Sequence, residues 1–162
     1  TIERGVMDGS YHVGIIPAHR SSQSLIYTDL FTETMLLYCG AGHPLYGAQH
    51  PALDWDSLRS YPFAGLGYHS PNMELSHRAE LTRTATGFDQ ESIATLILSV
   101  KFLGVLPDHY ADSFVRLGQM RAVKPSLFRY ECSFLGILRR SPQPSRATRL
   151  FQACLQEAHQ LA

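Results

Sequence analysis

An α/β fold is predicted by three features of the sequence. Short apolar runs such as Val13-Gly14-Ile15-Ile16 alternate with segments of helical periodicity, Gly- and Pro-rich breaks divide the two, and an amphipathic stretch closes the chain. Alternation of this kind implies mostly parallel sheets covered by helices on both faces. The composition agrees: 44% apolar and 17% charged residues over 162 positions is the balance of a folded globule, long enough for one ordinary domain or two small lobes.

Taken in order, Val13 to Ile16 is a β-branched run stopped by Pro17 and reads as a buried strand of the parallel type. Leu25 to Gly40 is extended, with Thr28, Asp29, Thr32 and Glu33 interrupting the apolar residues, and reads as two strands in series that could cross between lobes. The break Gly40-Ala41-Gly42-His43-Pro44 follows, and Asp54 stands where the N-cap of a short helix, Trp55 to Ser60, belongs. Pro62 to Leu66 is a strand, Ser70 to Arg78 a loop entering a short helix, and Leu81 to Phe88 another strand. Asp89 caps a helix carrying Ile93, Leu96, Ile97 and Val100, apolar enough to be buried and ended by Gly104. Val105-Leu106 is a minimal strand, and Pro107-Asp108 opens a helix over His109 to Val115. Met120 to Val123 and Tyr130 to Leu138 are the last strands. Ser145 then caps a helix whose stripe of Ala147, Leu150, Phe151, Cys154, Leu155 and Ala158 is expected to face the core, with Arg149, Gln152, Gln156 and Gln160 opposite; part of that face could serve a dimer contact.

Several function classes are disfavoured. Fourteen basic residues balance fourteen acidic ones, so there is no cationic excess to neutralise nucleic-acid phosphates. The longest apolar runs fall well short of the roughly 20 residues of a membrane span. Cys39, Cys132 and Cys154 show no paired spacing, which fits a reducing cytosol rather than a disulfide framework or zinc knuckle. The eight histidines include no H-x-H or H-E-x-x-H, so no metal is expected. Gly65-Leu66-Gly67-Tyr68-His69-Ser70 lacks the third glycine of a dinucleotide loop and reads as a plain turn, and no serine sits in G-x-S-x-G. Neither a cofactor nor catalysis is expected. The opening Thr1-Ile2-Glu3-Arg4 has no initiator Met and no export signal, as in a piece of a longer chain.

Three segments resemble the effector-binding domain of LysR-type transcriptional regulators: Asp8-Gly9-Ser10-Tyr11-His12-Val13-Gly14-Ile15-Ile16, the stretch from Leu30 to Pro44-Leu45, and Ser92 through Gly104-Val105-Leu106-Pro107. The likeness extends to Phe134–Arg139 and the closing helix. Phe31 stands where the family often has leucine, and Lys101-Phe102-Leu103 replaces a small-and-glycine pair. The family's first strand and helix of the first lobe, and its winged helix-turn-helix, have no counterpart, so the first lobe is expected to be N-terminally truncated. The resemblance implies a type II periplasmic-binding-protein-like fold of two lobes joined by crossing strands. Residues 1–38 with 141–162 would form the first lobe and 39–140 the second.

It further implies a small-molecule effector held between the lobes, with free backbone N–H groups at helix N-termini favouring an anion. Phe88, Asp89, Gln90 and Ser92 would supply one wall, and Pro17, Ala18, His19, Gly67 and Tyr68 the other. Asp89 is first of all an N-cap whose carboxylate discourages an anion. A protonated His19 would pair with a carboxylate effector, although a solvated loop histidine is the commoner case. The implied function is ligand sensing without chemistry, in a cytoplasmic homodimer or higher homo-oligomer that meets DNA only through the absent N-terminal domain. The alternatives are a transport-associated solute-binding protein, which would need an export signal, and a two-lobed α/β enzyme.

Overall fold

The computed structural model describes residues 1–47, 51–67 and 81–160. The segment read as a loop entering a helix over 70–78 lies outside them. The chain divides into two compact units, Thr1–Glu33 with Cys132–Ala162, and Thr34–Glu131. Both boundaries fall inside strands: β2 (Leu25–Gly40) and β7 (Arg129–Arg139) each begin in one unit and end in the other. The sequence reading put the boundaries at 38/39 and 140/141; an uninterrupted strand carries no sequence mark of where one unit hands over to the next. β2 is likewise one strand of 16 residues rather than two, its polar residues being exposed (Asp29, Thr32) or half-buried (Thr28, Glu33) positions of a continuous strand and not a break.

The first unit contains a helix with no counterpart in the sequence reading. Thr1 Oγ1 accepts from Arg4 N at 3.4 Å, opening α1 (Ile2–Asp8). Val6 of α1 packs with Ile16, Leu25 and Ile137, flanked by Tyr27 and Leu135. β1 (Gly14–Pro17) pairs antiparallel with β7, Gly14 opposite Ile137 and Pro17 opposite Phe134. The parallel strand expected here is therefore corrected: a four-residue apolar run cannot reveal the direction of a partner 120 positions downstream. Its alternation is visible, since Gly14 and Ile16 are buried while Ile15 is exposed.

The closing helix α5 (Arg146–Gln160) is capped as expected, Ser145 Oγ accepting from Thr148 N at 3.1 Å. Its packing face is not the one periodicity predicts. Thr148 and Gln152 are buried, whereas Leu150 is 63% and Phe151 58% exposed, and Ala147, Cys154 and Ala158 are exposed too. The cause lies on β7: the space beside Gly136 is occupied by the Gln152 amide, so a missing side chain on the sheet sets the helix's rotation. Further along, the His159 ring lies tilted against Phe31, centroids 4.7 Å apart, and Phe31 stacks on Phe134 at 4.9 Å.

In the second unit, β3 (Phe63–Leu66) runs parallel to both β4 (Arg83–Gly87) and β5 (Leu103–Pro107). The end of β2 runs antiparallel to β5 and to β6 (Met120–Ala122). The sheet is thus mixed, correcting the mostly parallel expectation, because β2 runs antiparallel to β5, a member of the parallel set. Successive residues of β2 feed different cores. Leu37 and Cys39 join Leu45, Leu58, Phe63, Leu103 and Phe128, while Tyr38 joins Ala64, Ile93, Ile97, Leu106 and Met120. Both faces being covered explains the unbroken apolar run from Met35 to Cys39.

The helices α2 (Trp55–Leu58), α3 (Gln90–Leu98) and α4 (Asp108–Arg116) complete this unit. Asp54 Oδ1 accepts from Ser57 N at 2.8 Å, as its cap position predicts. α3 buries only Ile93, Ala94 and Ile97, leaving Leu98 exposed, and it ends at Ser99 rather than at Gly104. Gly104 belongs to β5 instead, where a Cβ would come within 2.8 and 2.9 Å of Ile97 side-chain carbons and 3.0 Å of Ile93 Cγ2. It is a close-approach glycine seating α3 on the sheet, not a helix stop. Among the described residues no helix is long and apolar enough to cross a membrane, and no cluster of side chains could hold a metal ion.

Candidate functional site

Parallel strands direct their carboxyl ends to one edge of a sheet, and ligands of α/β folds collect there. In the second unit β3 and β4 end side by side, Leu66 opposite Gly87, and Gly67 N donates to Gly87 O at 2.7 Å. A Cβ at Gly67 would lie 2.6 and 2.9 Å from carbons of the Phe88 ring, so that ring lies over the Gly67 backbone while remaining 71% exposed. The chain then turns directly into α3. Asp89 Oδ1 accepts from Ser92 N at 2.7 Å and from Ser92 Oγ at 2.5 Å. These bonds, that of the hydroxyl first, hold the Asp89 carboxyl below its ordinary range, so it is charged. The N–H groups of Gln90 and Glu91, in the first turn of α3, have no intrahelical acceptor.

The structure therefore brings Gly67, Phe88, Asp89, Gln90 and Ser92 to one place in the second unit, while Tyr68 lies outside the described residues. One neighbour was missed. Tyr110, in the first turn of α4, has its phenol pushed above the ordinary value by burial and then by the Glu91 and Asp89 carboxylates. A tyrosine three residues after a helix-starting proline gives no hint from sequence that it faces a different helix. The electrostatics are mixed: two N–H donors accompany two carboxylates, which suits a ligand carrying both an acidic group and a hydrogen-bond donor.

In the first unit Pro17 ends β1, and Ala18 N donates to Ser133 O at 2.7 Å. His19 is anchored at both ring nitrogens, Nδ1 2.9 Å from Pro17 O and Nε2 3.1 Å from Glu3 Oε2. Glu3 lies on α1, the helix absent from the sequence reading. The carboxylate beside His19 is thus the protein's own, and an effector would have to share or displace it.

The model of the family described as the LysR substrate binding domain matches residues 1–160. The chain belongs to that family. It is 33% identical over 144 residues to the HTH-type transcriptional activator BauR of Pseudomonas aeruginosa, covering 89% of this chain and 47% of BauR. The domain thus spans about half the length of that relative. The effector binding domain of QuiR in complex with shikimate superposes with a TM-score of 0.80 at 10% identity, over 98% of this chain and 77% of that one. The regulatory domain of Synechocystis PCC6803 CcmR in complex with 2-PG gives a TM-score of 0.76 at 16% identity, over 98% of this chain and 78% of that one. Likeness at such low identity speaks for the fold, which is the periplasmic-binding-protein-like α/β fold of LysR regulatory domains. A LysR substrate-binding domain is the ligand-sensing part of a transcriptional regulator, and the resemblance read from Asp8–Ile16, Leu30–Leu45 and Ser92–Pro107 is confirmed.

Proposed function

We propose that this LysR-family domain binds a small polar metabolite without transforming it, at Gly67, Phe88, Asp89, Gln90 and Ser92 of the second unit; Pro17, Ala18 and His19 of the first unit are a second candidate set. Tyr68 belongs to the same proposal from its place in the sequence. The observation that carries it is the convergence of the β3 and β4 carboxyl ends on the first turn of α3, where the exposed Phe88 ring and the Thr86 methyl lie against the Gly67 backbone. An exposed aromatic ring beside unpaired helix N–H groups can recognise an acid at one end and an apolar body at the other. The Asp89 and Glu91 side chains add acceptors for a hydroxyl or ammonium group on the same molecule.

Binding would favour one conformation of the domain over another and so change how an N-terminal winged helix-turn-helix, outside this sequence, engages DNA. Such a shift requires different effector affinity in the two conformations. The whole protein would act in the cytoplasm as a homodimer or higher homo-oligomer, and light scattering that finds only monomer at high concentration would count against that assembly. The test of ligand sensing is a thermal-shift screen of organic, hydroxy and amino acids. A ligand at about 100 times its dissociation constant adds about 2.7 kcal/mol of stability, a rise of roughly 5–10 °C for a domain of this size. A hit whose shift vanishes in Phe88→Ala and Ser92→Pro supports the site; a hit indifferent to both removes it.

A further inference from the structure

Within the first unit, a surface cavity of about 500 Å³ lies between α5 and the strands β2 and β7. That volume falls in the range of roughly 300–1,000 Å³ typical of small-molecule sites. Ile26 of β2 and Leu138 of β7 form its apolar floor. α5 contributes Arg149, Gln152, Ala153 and Gln156, spaced i, i+3, i+4 and i+7 and therefore on one face of the helix.

Two side chains in this lining have no protein partner among the described residues, one of them buried. Gln152 is only 6% exposed, and neither its Nε2 nor its Oε1 has a hydrogen-bond partner. Buried amides are almost always paired, so an amide unpaired at both atoms on the wall of a cavity points to a partner that arrives from outside. Arg149 is exposed and its guanidinium has neither a hydrogen bond nor an ion pair among the described residues. The second arginine of the lining, Arg140, is committed, donating through Nε to Gln23 O at 3.0 Å and through Nη2 to Leu25 O at 3.2 Å. It holds a fixed positive charge at the rim. The lining residues include no carboxylate, so the field favours an anion.

We propose that this cavity is a binding site for a small monocarboxylate with an apolar body, separate from the strand-end residues assigned to the effector. Arg149 pairs with the carboxylate, whose planar geometry matches the guanidinium fork. Gln152 swings its amide out of the space beside Gly136 so that Nε2 donates to the same group, and Ile26, Leu138 and Ala153 take the hydrocarbon. Shape and charge divide the work: the floor selects an apolar body, the helix face selects the acid.

The test is a titration of the ¹⁵N-labelled chain with hexanoate, phenylacetate and cyclohexanecarboxylate, hexanol serving as the uncharged control. At least one acid should give saturable amide shifts over residues 149–156 and at Leu138, with hexanol giving none. Arg149→Glu should weaken that binding by roughly tenfold or more, as expected for loss of a charge-assisted pair. Because Arg149 is exposed, the variant should fold as the parent does. Gln152→Leu should keep or raise the unfolding midpoint while weakening binding, since it removes an unpaired buried amide. No shift on α5 with any of the three acids overturns the proposal. So do shifts that survive Arg149→Glu, or that hexanol reproduces. Shifts confined to residues 88–92 would report the effector site instead, leaving that reading intact and this one refuted.

Discussion

Adding one methyl group at Gly104 is the sharpest structural perturbation available in the second unit. A Cβ there would meet two Ile97 side-chain carbons at 2.8 and 2.9 Å and Ile93 Cγ2 at 3.0 Å, all on the face by which α3 packs on β5. Carbon atoms at van der Waals contact sit about 3.5–4.0 Å apart, so α3 must lift by several tenths of an ångström or both isoleucines must leave their rotamers. Overpacking of this sort costs about 1–3 kcal/mol. For a domain of this length each kcal/mol is worth about 2–4 °C, so Gly104→Ala should lower the melting temperature by roughly 2–12 °C. Ile97→Ala alone should cost about 2–5 kcal/mol as a cavity in the core, yet in the Gly104→Ala background it removes the clash. Urea unfolding of the two single variants and the double variant should therefore show a favourable coupling of about 0.5–3 kcal/mol. Additivity within about 0.5 kcal/mol, or a neutral Gly104→Ala, would refute the assignment of Gly104 as the seat of α3.

Other expectations follow from burial and charge. Leu150→Gln and Phe151→Ser, on the exposed side of α5, should change stability by no more than about 0.5 kcal/mol despite their apolar character, whereas losses above about 2 kcal/mol would restore the helix face that periodicity suggested. Native thiol titration should find Cys154 reactive and Cys39 inert, since Cys39 is buried and burial pushes its thiol up to about 11; fast reaction of Cys39 would contradict its place in the core. Burial also lowers the His43 pKa, and its Nδ1 accepts from Leu45 N at 3.1 Å, which requires the neutral ring. The unfolded chain then binds the proton more readily, so this contribution is complete above about pH 6.5 and is lost as the pH falls through the depressed folded value. His43→Asn, which keeps an acceptor but does not titrate, should lose less stability than the parent between about pH 7.5 and pH 5.5. Equal acid sensitivity of the two proteins would deny His43 that role.

Much of the fold was legible because local chemistry marked it. Asp54, Asp89 and Ser145 each sit where a cap was expected, and each does accept a backbone N–H three residues on. The features that escaped share one physical origin, in that contacts between distant residues decide them. Gly136 governs which side of α5 faces inward, and Gln152 is buried against the sheet because β7 is empty at that point. The direction of β1 is set by β7. The end of α3 is a local exception, set by Ser99 and by Val100 at φ +71° rather than by the more conspicuous Gly104. At the candidate site the capping motif made Phe88 to Ser92 readable. Glu3 beside His19 and Tyr110 beside α3 were not, because each pairing joins elements that share no periodicity.

Amide hydrogen exchange with and without an effector identified by thermal shift tests the central claim most directly. The expected result is slowed exchange at Gly67 and over Gln90 to Ser92 in the second unit, with little change along α2. Protection that leaves the first turn of α3 untouched while appearing elsewhere in the chain would contradict it.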